Sequence, residues 1–211
     1  MSTSNGSALA LYKASTKQPE FISVPTMKFL MVDGTGDPNT SPMFQDAVQA
    51  LYGLAYTIKF GRKKRGEESD YKITPLEGLW WSKDPTAFAN GEKSKWQWTL
   101  MLAVPDFISK HDVQLATKEL QVKKDLKLLP AIRLEKFSEG QAVQFMHIGP
   151  YSSEGPNIER MHAFAQDQGY TLRGKHHEIY LGDPCRSKPE RLKTILRQAV
   201  VRSKNGRFLH A

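Results

Sequence analysis

The order of predicted secondary-structure elements occurs twice along the chain, and this internal repeat constrains the fold more than any other feature. Each copy is predicted as a strand, a glycine-containing turn, a helix and two further strands. The first copy covers residues 27–34, 41–59, 72–81 and 96–104, and the second covers 142–149, 155–168, 175–181 and 193–201. Two similar modules that pack together form a cleft, and clefts are where ligands bind. The repeat therefore predicts an α+β protein of two β-α-β-β modules.

The domain boundaries follow from the same elements. We expect one domain over residues 19–202, with modules at about 19–105 and 130–202 joined by a helix at about 109–128. Residues 132–137 and 142–148 flank a glycine turn and are predicted to form a β-hairpin. Residues 1–18 are rich in Ser, Thr and Ala and are predicted to be a disordered leader, and residues 203–211 form a basic tail.

The strand at 175–181 carries the most informative polar side chains. Side chains alternate between the two faces of a strand, so Ile179 and Leu181 share one face, while His176, Glu178 and Tyr180 share the other. The carboxylate of Glu178 is then either a solvated residue at a sheet edge or the polar floor of a pocket. Sequence pattern alone leaves both interpretations open.

Several aromatic residues are candidate walls of such a pocket. Trp96 and Trp98 share one face of the strand at 96–104, which is typical of a hydrophobic core and also of an aromatic binding site. The candidate ligand contacts are Trp80, Trp98, Tyr56 and Phe145, and each of them is equally compatible with an ordinary core position.

The charge raises the question of nucleic acid. The chain carries a net charge of +8, with one basic run at 62–65 and further basic residues in the tail. Such runs attract polyanions without specificity. Because no known nucleic-acid-binding motif accompanies them, we expect no specific nucleic-acid partner.

The sequence lacks the motifs of several other kinds of binding site. Gly34 and Gly36 have no third glycine at dinucleotide-loop spacing, and Glu67 and Glu68 stand where a phosphate loop needs Lys and Ser or Thr. His176 and His177 point to opposite faces of a strand, which disfavours a shared metal. We therefore expect no cofactor and no metal site.

Composition also suggests where the protein works. No apolar run approaches the roughly 18 residues of a membrane span, and the first residues lack the apolar core of a signal peptide. The lone cysteine, Cys185, rules out an internal disulfide and fits a reducing compartment. The expectation is a cytoplasmic protein without membrane partners, present as a monomer or weak homodimer.

Three segments resemble the GyrI-like small-molecule-binding proteins, in particular stand-alone members similar to cyclopropanoid hydrolases. They are Lys28–Pro38, with the sequence KFLMVDGTGDP; Met146–Tyr151, with the sequence MHIGPY; and His177–Pro184, with the sequence HEIYLGDP, which Pro189–Gln198 follows. Together they span the chain from Phe21 to about Val200 in the family's order.

The resemblance implies two pseudo-symmetric β-α-β-β modules. Their strands would form an antiparallel sheet with helices on one face and a concave ligand cleft. In the family the glutamate of the His-Glu-Ile-Tyr strand lies in that cleft, which corresponds here to Glu178. His147 and Tyr151, in the segment similar to the family's turn before its second helix, become further candidate ligand contacts.

The resemblance also implies two kinds of function. Some members bind bulky aromatic cations, and some stand-alone members open the cyclopropane of electrophilic natural products by hydrolysis. The expected function is therefore the binding of hydrophobic or cationic aromatic molecules, with their hydrolysis in detoxification. In that hydrolysis Glu178 would act as the general base that deprotonates water, and Tyr180 would hydrogen-bond the water or the developing oxyanion. The alternative is a non-enzymatic module that senses effectors or binds a protein partner, as in transcription regulators and gyrase inhibitors.

Overall fold

The computed structural model describes residues 10–84, 86, 90–184 and 186–203, and it divides into two compact units. The terminal unit combines Met1–Pro25 with Ser138–Ala211, and the internal unit is Thr26–Phe137. Each unit contains four antiparallel strands. The described strands are β1 (Glu20–Val24), β2 (Met27–Thr35), β3 (Leu76–Trp81), β4 (Gln97–Val104), β5 (Arg133–Phe137), β6 (Gly140–Ile148), β7 (Tyr170–Tyr180) and β8 (Lys193–Arg202). The longer helices are α1 (Pro42–Lys64), α2 (Lys110–Lys123) and α3 (Gly155–Asp167).

The internal unit has the strand order β3-β4-β2-β5, with helix α1 on one face. Directly paired residues in antiparallel strands point to the same face. The pairs Gly34–Trp98 and Trp98–Trp80 therefore form one row across the sheet, and Phe44 of α1 packs on both tryptophans of that row. Apolar residues of α1 form much of the core below it: Ala47, Ala50, Leu51, Leu54, Ala55 and Ile58.

Strands β2 and β4 are buried on both faces, which explains their nearly continuous apolar sequences. Leu30 and Leu102 each lie four residues along their strand from the Gly34–Trp98 pair. Because side chains alternate between the two faces, both residues point to the same face as that pair, which is the side of α1. A second cluster occupies the opposite face and contains Phe29, Met31, Leu79, Met101 and Ala103. Strand β2 lies between β4 and β5, so it is a central strand of its unit.

The terminal unit has the strand order β1-β6-β8-β7, with helix α3 on one face. Met161 and Ala165 of α3 pack against Phe145 of β6 and Leu196 of β8. Register places Phe145, Leu196 and Glu178 directly across from one another, so all three point to the side of α3. Glu178 is thus on the helix-covered face of its unit.

A row of polar side chains crosses the other face of the terminal sheet. Glu20, Gln144, Arg197 and His177 pair directly across β1, β6, β8 and β7. The amide of Gln144 donates to Glu20 at 3.0 Å, and Arg197 donates to Gln144 Oε1 at 2.9 Å. His177 Nδ1 lies 3.1 Å from both oxygens of Glu139, a carboxylate that also lies 3.5 Å from Arg197. Each charged group of this row therefore has a partner of opposite charge or a hydrogen bond.

The same polar row fixes the segment before β1. Arg197 donates to the carbonyl of Leu11 at 2.6 Å, Gln144 donates to that of Lys13 at 2.9 Å, and the backbone amide of Ser15 donates to Glu20. Residues 10–18, expected to belong to a disordered leader, are instead held against the sheet. The expectation missed this because the partners, Gln144 and Arg197, lie more than a hundred residues away in the sequence.

The repeat predicted from the sequence is confirmed as β2-α1-β3-β4 and β6-α3-β7-β8. Two details differ. The predicted hairpin between β5 and β6 is wrong, since β5 pairs with β2, and β6 pairs with β1 and β8. Consequently β1 groups with the second copy and β5 with the first, which shifts both module boundaries from the expected positions.

Some features of the sequence take different positions from those expected. Helix α2 ends at Lys123 rather than near residue 128, and β3 begins at Leu76 rather than at Lys72. The basic run at 62–65 is partly neutralised, because Arg62 and Arg65 both pair with Asp112 at the start of α2. Cys185, the tail at 204–211 and the first nine residues lie outside the described residues. No helix in the described part of the chain is long and apolar enough to cross a membrane.

Replacing Gly34 with Ala should strongly destabilise the internal unit. A β-carbon at Gly34 would lie 2.0 Å from the ring of Trp98, which is fully buried and cannot move away. We expect a loss of about 3 kcal/mol in the free energy of unfolding, measured by chemical denaturation.

Gly155→Ala is the matched control, because a β-carbon there meets nothing within 4 Å. Its stability should equal or exceed that of the wild type. Equal stabilities of Gly34→Ala and the wild type would contradict the packing described for Trp98.

Candidate functional site

A carboxylate site lies at the end of β7 in the terminal unit. The alternation of β7 sends His177 and Ile179 to one face, where both are buried, and Glu178 and Tyr180 to the face of α3. The side chain of Glu178 is 14% exposed, so the carboxylate is shielded without being sealed from solvent.

Two neighbours on the same strand contact this carboxylate. The hydroxyl of Tyr180 donates to Glu178 Oε2 at 2.7 Å. His176 Nε2 lies 3.3 Å from Glu178 Oε1, and its side chain is 12% exposed. Residues 176, 178 and 180 thus form a polar stripe along the strand. Within it, the carboxylate of Glu178 accepts one hydrogen bond from the phenol of Tyr180 and lies beside the imidazole of His176.

Tyr151, in the turn before α3, and His147, near the end of β6, complete the surroundings. The ring of Tyr151 meets that of Tyr180 edge to face, with centroids 5.6 Å apart. His147 is buried, and both of its ring nitrogens are used within the protein. Asn157 donates to Nδ1 at 2.9 Å, while Nε2 donates to the carbonyl of Pro150 at 3.2 Å. His147 therefore fixes the turn that carries Tyr151 and the start of α3.

A second histidine of α3 lies behind the stripe. The rings of His162 and His176 meet edge to face with centroids 6.5 Å apart. Burial, together with the charge of His176, lowers the pKa of His162 to about 4, so His162 is neutral at neutral pH. Its Nε2 is buried and has no hydrogen-bond partner among the described residues. A buried unpaired nitrogen is costly, and a bound molecule or water would relieve that cost.

The candidate tryptophans lie together in the internal unit. Trp80 and Phe44 are stacked with centroids 6.0 Å apart, and Trp96 meets Trp80 edge to face at 5.9 Å. Trp98 is fully buried against Gly34, and its indole nitrogen has no hydrogen-bond partner in the described part of the chain. Trp80 and Trp98 thus belong to one aromatic cluster, in which Trp96 and Phe44 are only half-buried.

Two other candidates take different positions. Phe145 lies in the core of the terminal unit, packed with Met161 and Leu196. Tyr56 lies on the exposed face of α1, where its ring stacks with that of Phe60. The structure therefore brings Glu178, Tyr180 and Tyr151 together, whereas Phe145 packs in the core and Tyr56 faces solvent.

Three residues gain importance that the sequence did not give them. His176 was on the predicted face of Glu178, and its two-residue spacing was the available signal. His162 follows Met161 on α3, where nothing in the sequence distinguishes it from a core residue. Phe44 falls on the apolar periodicity of α1. Proximity in space, rather than residue type, identifies all three.

The arrangement suits a ligand rather than a metal. Among the residues that the structure describes, no group of three or more His, Cys, Asp or Glu side chains could hold a metal ion. A shielded carboxylate with a phenol hydrogen bond and aromatic rings nearby can attract a cation or accept a proton from water.

Replacing His162 with Gln should make folding less sensitive to acid. A histidine in the unfolded chain has a pKa of about 6.5, which is above the pKa of His162 in the folded protein. At pH values between these two pKa values, the unfolded state therefore binds the proton more readily than the folded state does. Wild-type stability is therefore complete above about pH 6.5 and falls as pH decreases towards 4. We expect the variant to avoid about 2 kcal/mol of this loss, after allowance for partial exposure.

Urea denaturation at neutral pH and near the folded pKa of His162 measures this difference. His111→Gln is the matched control, because His111 is exposed on α2. Equal acid sensitivity of the wild type and His162→Gln would contradict the burial of a neutral His162.

Comparison with known proteins agrees with this architecture. The chain matches the GyrI-like small molecule binding domain over residues 17–198. An uncharacterized conserved protein from Listeria innocua is 40% identical, with a TM-score of 0.86 over 93% of this chain and 98% of that one. A hydrolase from Listeria innocua is also 40% identical, with a TM-score of 0.80 over 92% of this chain and 98% of that one.

More distant likeness is confined to the fold. The C-terminal domain of EcmrR is 15% identical, with a TM-score of 0.56 over 88% of this chain and 98% of that one. No match was found among the curated proteins. The match over most of the chain, together with the confirmed double β-α-β-β architecture, shows that this protein belongs to the GyrI-like small-molecule-binding domain family.

Proposed function

We propose that this protein binds hydrophobic aromatic cations at Glu178 and hydrolyses electrophilic, cyclopropane-containing molecules there. The observation that carries the proposal is the shielded Glu178 carboxylate, held by the Tyr180 hydroxyl at 2.7 Å on the helix-covered face of its sheet. A shielded carboxylate loses hydration, which hydrogen bonds or an opposite charge must compensate, and such positions are candidates for ligand binding or catalysis.

Cation binding uses the negative charge and the neighbouring rings. Tyr151 and Tyr180 stand edge to face beside the carboxylate, so a ligand near Glu178 also meets aromatic surface. A cation over such a ring gains roughly 0.5–2 kcal/mol, with the larger value when water is excluded. His162 adds no competing positive charge at neutral pH, because burial lowers its pKa to about 4.

Hydrolysis uses the same carboxylate as a general base. Glu178 takes a proton from water, and the water oxygen forms a bond to a carbon of the activated cyclopropane. The ring bond to that carbon breaks, and its electron pair moves into the conjugated acceptor group of the substrate. The proton held by Glu178 then passes to that group, which restores the carboxylate, so the product has gained one water molecule. Tyr180, which donates to Glu178 in the free protein, supplies a hydrogen bond to the water or to the developing anion.

Likeness to known proteins supports this reading. The hydrolase from Listeria innocua aligns with 92% of this chain at 40% identity. A hydrolytic role is therefore the first hypothesis for this chain, whereas binding without turnover is the alternative.

Replacing Glu178 with Gln should abolish turnover while preserving the shape of the site. Limiting protein is incubated with excess cyclopropane-bearing electrophile, and the water adduct is followed by mass spectrometry. Wild-type protein should produce many equivalents of adduct, and Glu178→Gln should be slower by at least about 100-fold, the usual contribution of a general base. Glu159→Gln, at an exposed position on α3, is the matched control.

Each remaining outcome has a distinct meaning. Retained turnover in Glu178→Gln would exclude Glu178 as the essential base. Wild-type adduct at the rate of the buffer control would contradict the hydrolysis of that substrate and favour the binding-only alternative.

A further inference from the structure

A groove on the outer side of the internal unit lies between α1 and α2. It has a volume of about 670 Å³ and is lined by Tyr56, Phe60, Lys63 and Lys64 of α1 and by Glu119 and Lys123 of α2. We refer to it as the α1–α2 groove. Its volume falls within the range of roughly 300–1,000 Å³ that is usual for small-molecule sites.

Two aromatic rings form the apolar wall of the groove. Tyr56 is 47% exposed and Phe60 is 53% exposed, one helical turn apart on α1. Their rings are stacked with centroids 6.1 Å apart and an interplanar angle of 15°. Single exposed apolar side chains are ordinary on a protein surface. Large rings that lie next to each other form a contiguous apolar patch, and such patches commonly mark binding sites. A flat molecule can extend this stack.

The charge of the groove is positive. Lys63 makes no ion pair with any described residue, whereas Glu119 pairs with Lys123 at 2.5 Å and lies 3.9 Å from Lys64. Three ammonium groups and one carboxylate therefore line the groove, which leaves a net charge of two positives there. The nearby arginines do not add to it, since Arg62 and Arg65 are neutralised by Asp112 and Glu67.

The groove is formed by parts of the chain that the two copies of the internal repeat do not have in common. Helix α1 has 23 residues, while its counterpart α3 has 13. Tyr56 and Phe60 lie beyond the length that the two helices have in common, and among the described residues α2 has no counterpart in the second copy. The α1–α2 groove is therefore separate from the repeated unit, whose second copy carries Glu178.

From these observations we infer that the α1–α2 groove binds a planar aromatic anion of small size. The stacked rings of Tyr56 and Phe60 supply the surface for an aromatic ring system. Lys63, with Lys64 and Lys123, supplies the positive charge for a carboxylate, sulfonate or phosphate on that ring system. The groove thus selects the charge opposite to the one proposed for the Glu178 site.

Fluorescence titration with anilinonaphthalene sulfonate tests this inference, since the probe carries a sulfonate on a flat naphthalene ring system. Saturable binding to the wild type is expected. The double variant Tyr56→Ala/Phe60→Ala should weaken it about tenfold, because two ring contacts are lost. Lys63→Glu should weaken it about threefold, whereas Lys136→Glu, the same charge change at an exposed site on β5, should have no effect.

Two further measurements assign the result. Thermal denaturation must give the same midpoint for all variants, because this probe also binds partly unfolded protein. Sedimentation tests whether the rings instead cover a second copy of the chain. A dimer that is lost in the double variant would overturn the inference, as would saturable probe binding that is unchanged by the groove variants or absent from the wild type.

Discussion

Strand β7 carries charged or ionisable side chains on both of its faces, and the alternation of that strand decides where each of them goes. Glu178 points towards α3 with Tyr180, and His177 points to the opposite face, where Glu139 and Arg197 hold it. A shift of one residue in the pairing with β8 would exchange the two faces. It would bring His177 to the ligand side and place Glu178 among the buried groups that surround Arg197.

The polar row opposite α3 makes such a shift costly. The side chains of Glu139 and Arg197 are only 2% exposed, so each depends on its partners to compensate for the hydration that it loses on burial. Burial acts to raise the pKa of Glu139, but the charges and hydrogen bonds of His177 and Arg197 outweigh it and hold that pKa below its ordinary value. The carbonyl of Leu11 takes a further hydrogen bond from Arg197, so even the segment before β1 depends on this register. The same row that fixes the fold therefore fixes the position of Glu178.

The sequence predicted the repeat and the orientation of β7, because both follow from local periodicity. Ile179 and Glu178 differ in polarity at adjacent positions, and that contrast determines their faces. Sequence could not predict the partners of β1 and β5, since strand pairing between distant segments leaves no local pattern. It also could not separate Phe145, a core residue, from Tyr151, which lies beside Tyr180. Both are aromatic, and only the packing of α3 against Phe145 distinguishes them.

In the proposed function, the charge of Glu178 selects cationic aromatic ligands. Isothermal titration of wild type and Glu178→Gln with tetraphenylphosphonium and with tetraphenylborate tests it most directly, because the two ions share a shape and differ in sign. We predict that the wild type binds the phosphonium and that Glu178→Gln binds it about tenfold or more weakly, the loss expected for a shielded charge interaction. The same substitution should leave any binding of the borate undiminished. Equal affinity of both proteins for the phosphonium would contradict the role assigned to Glu178.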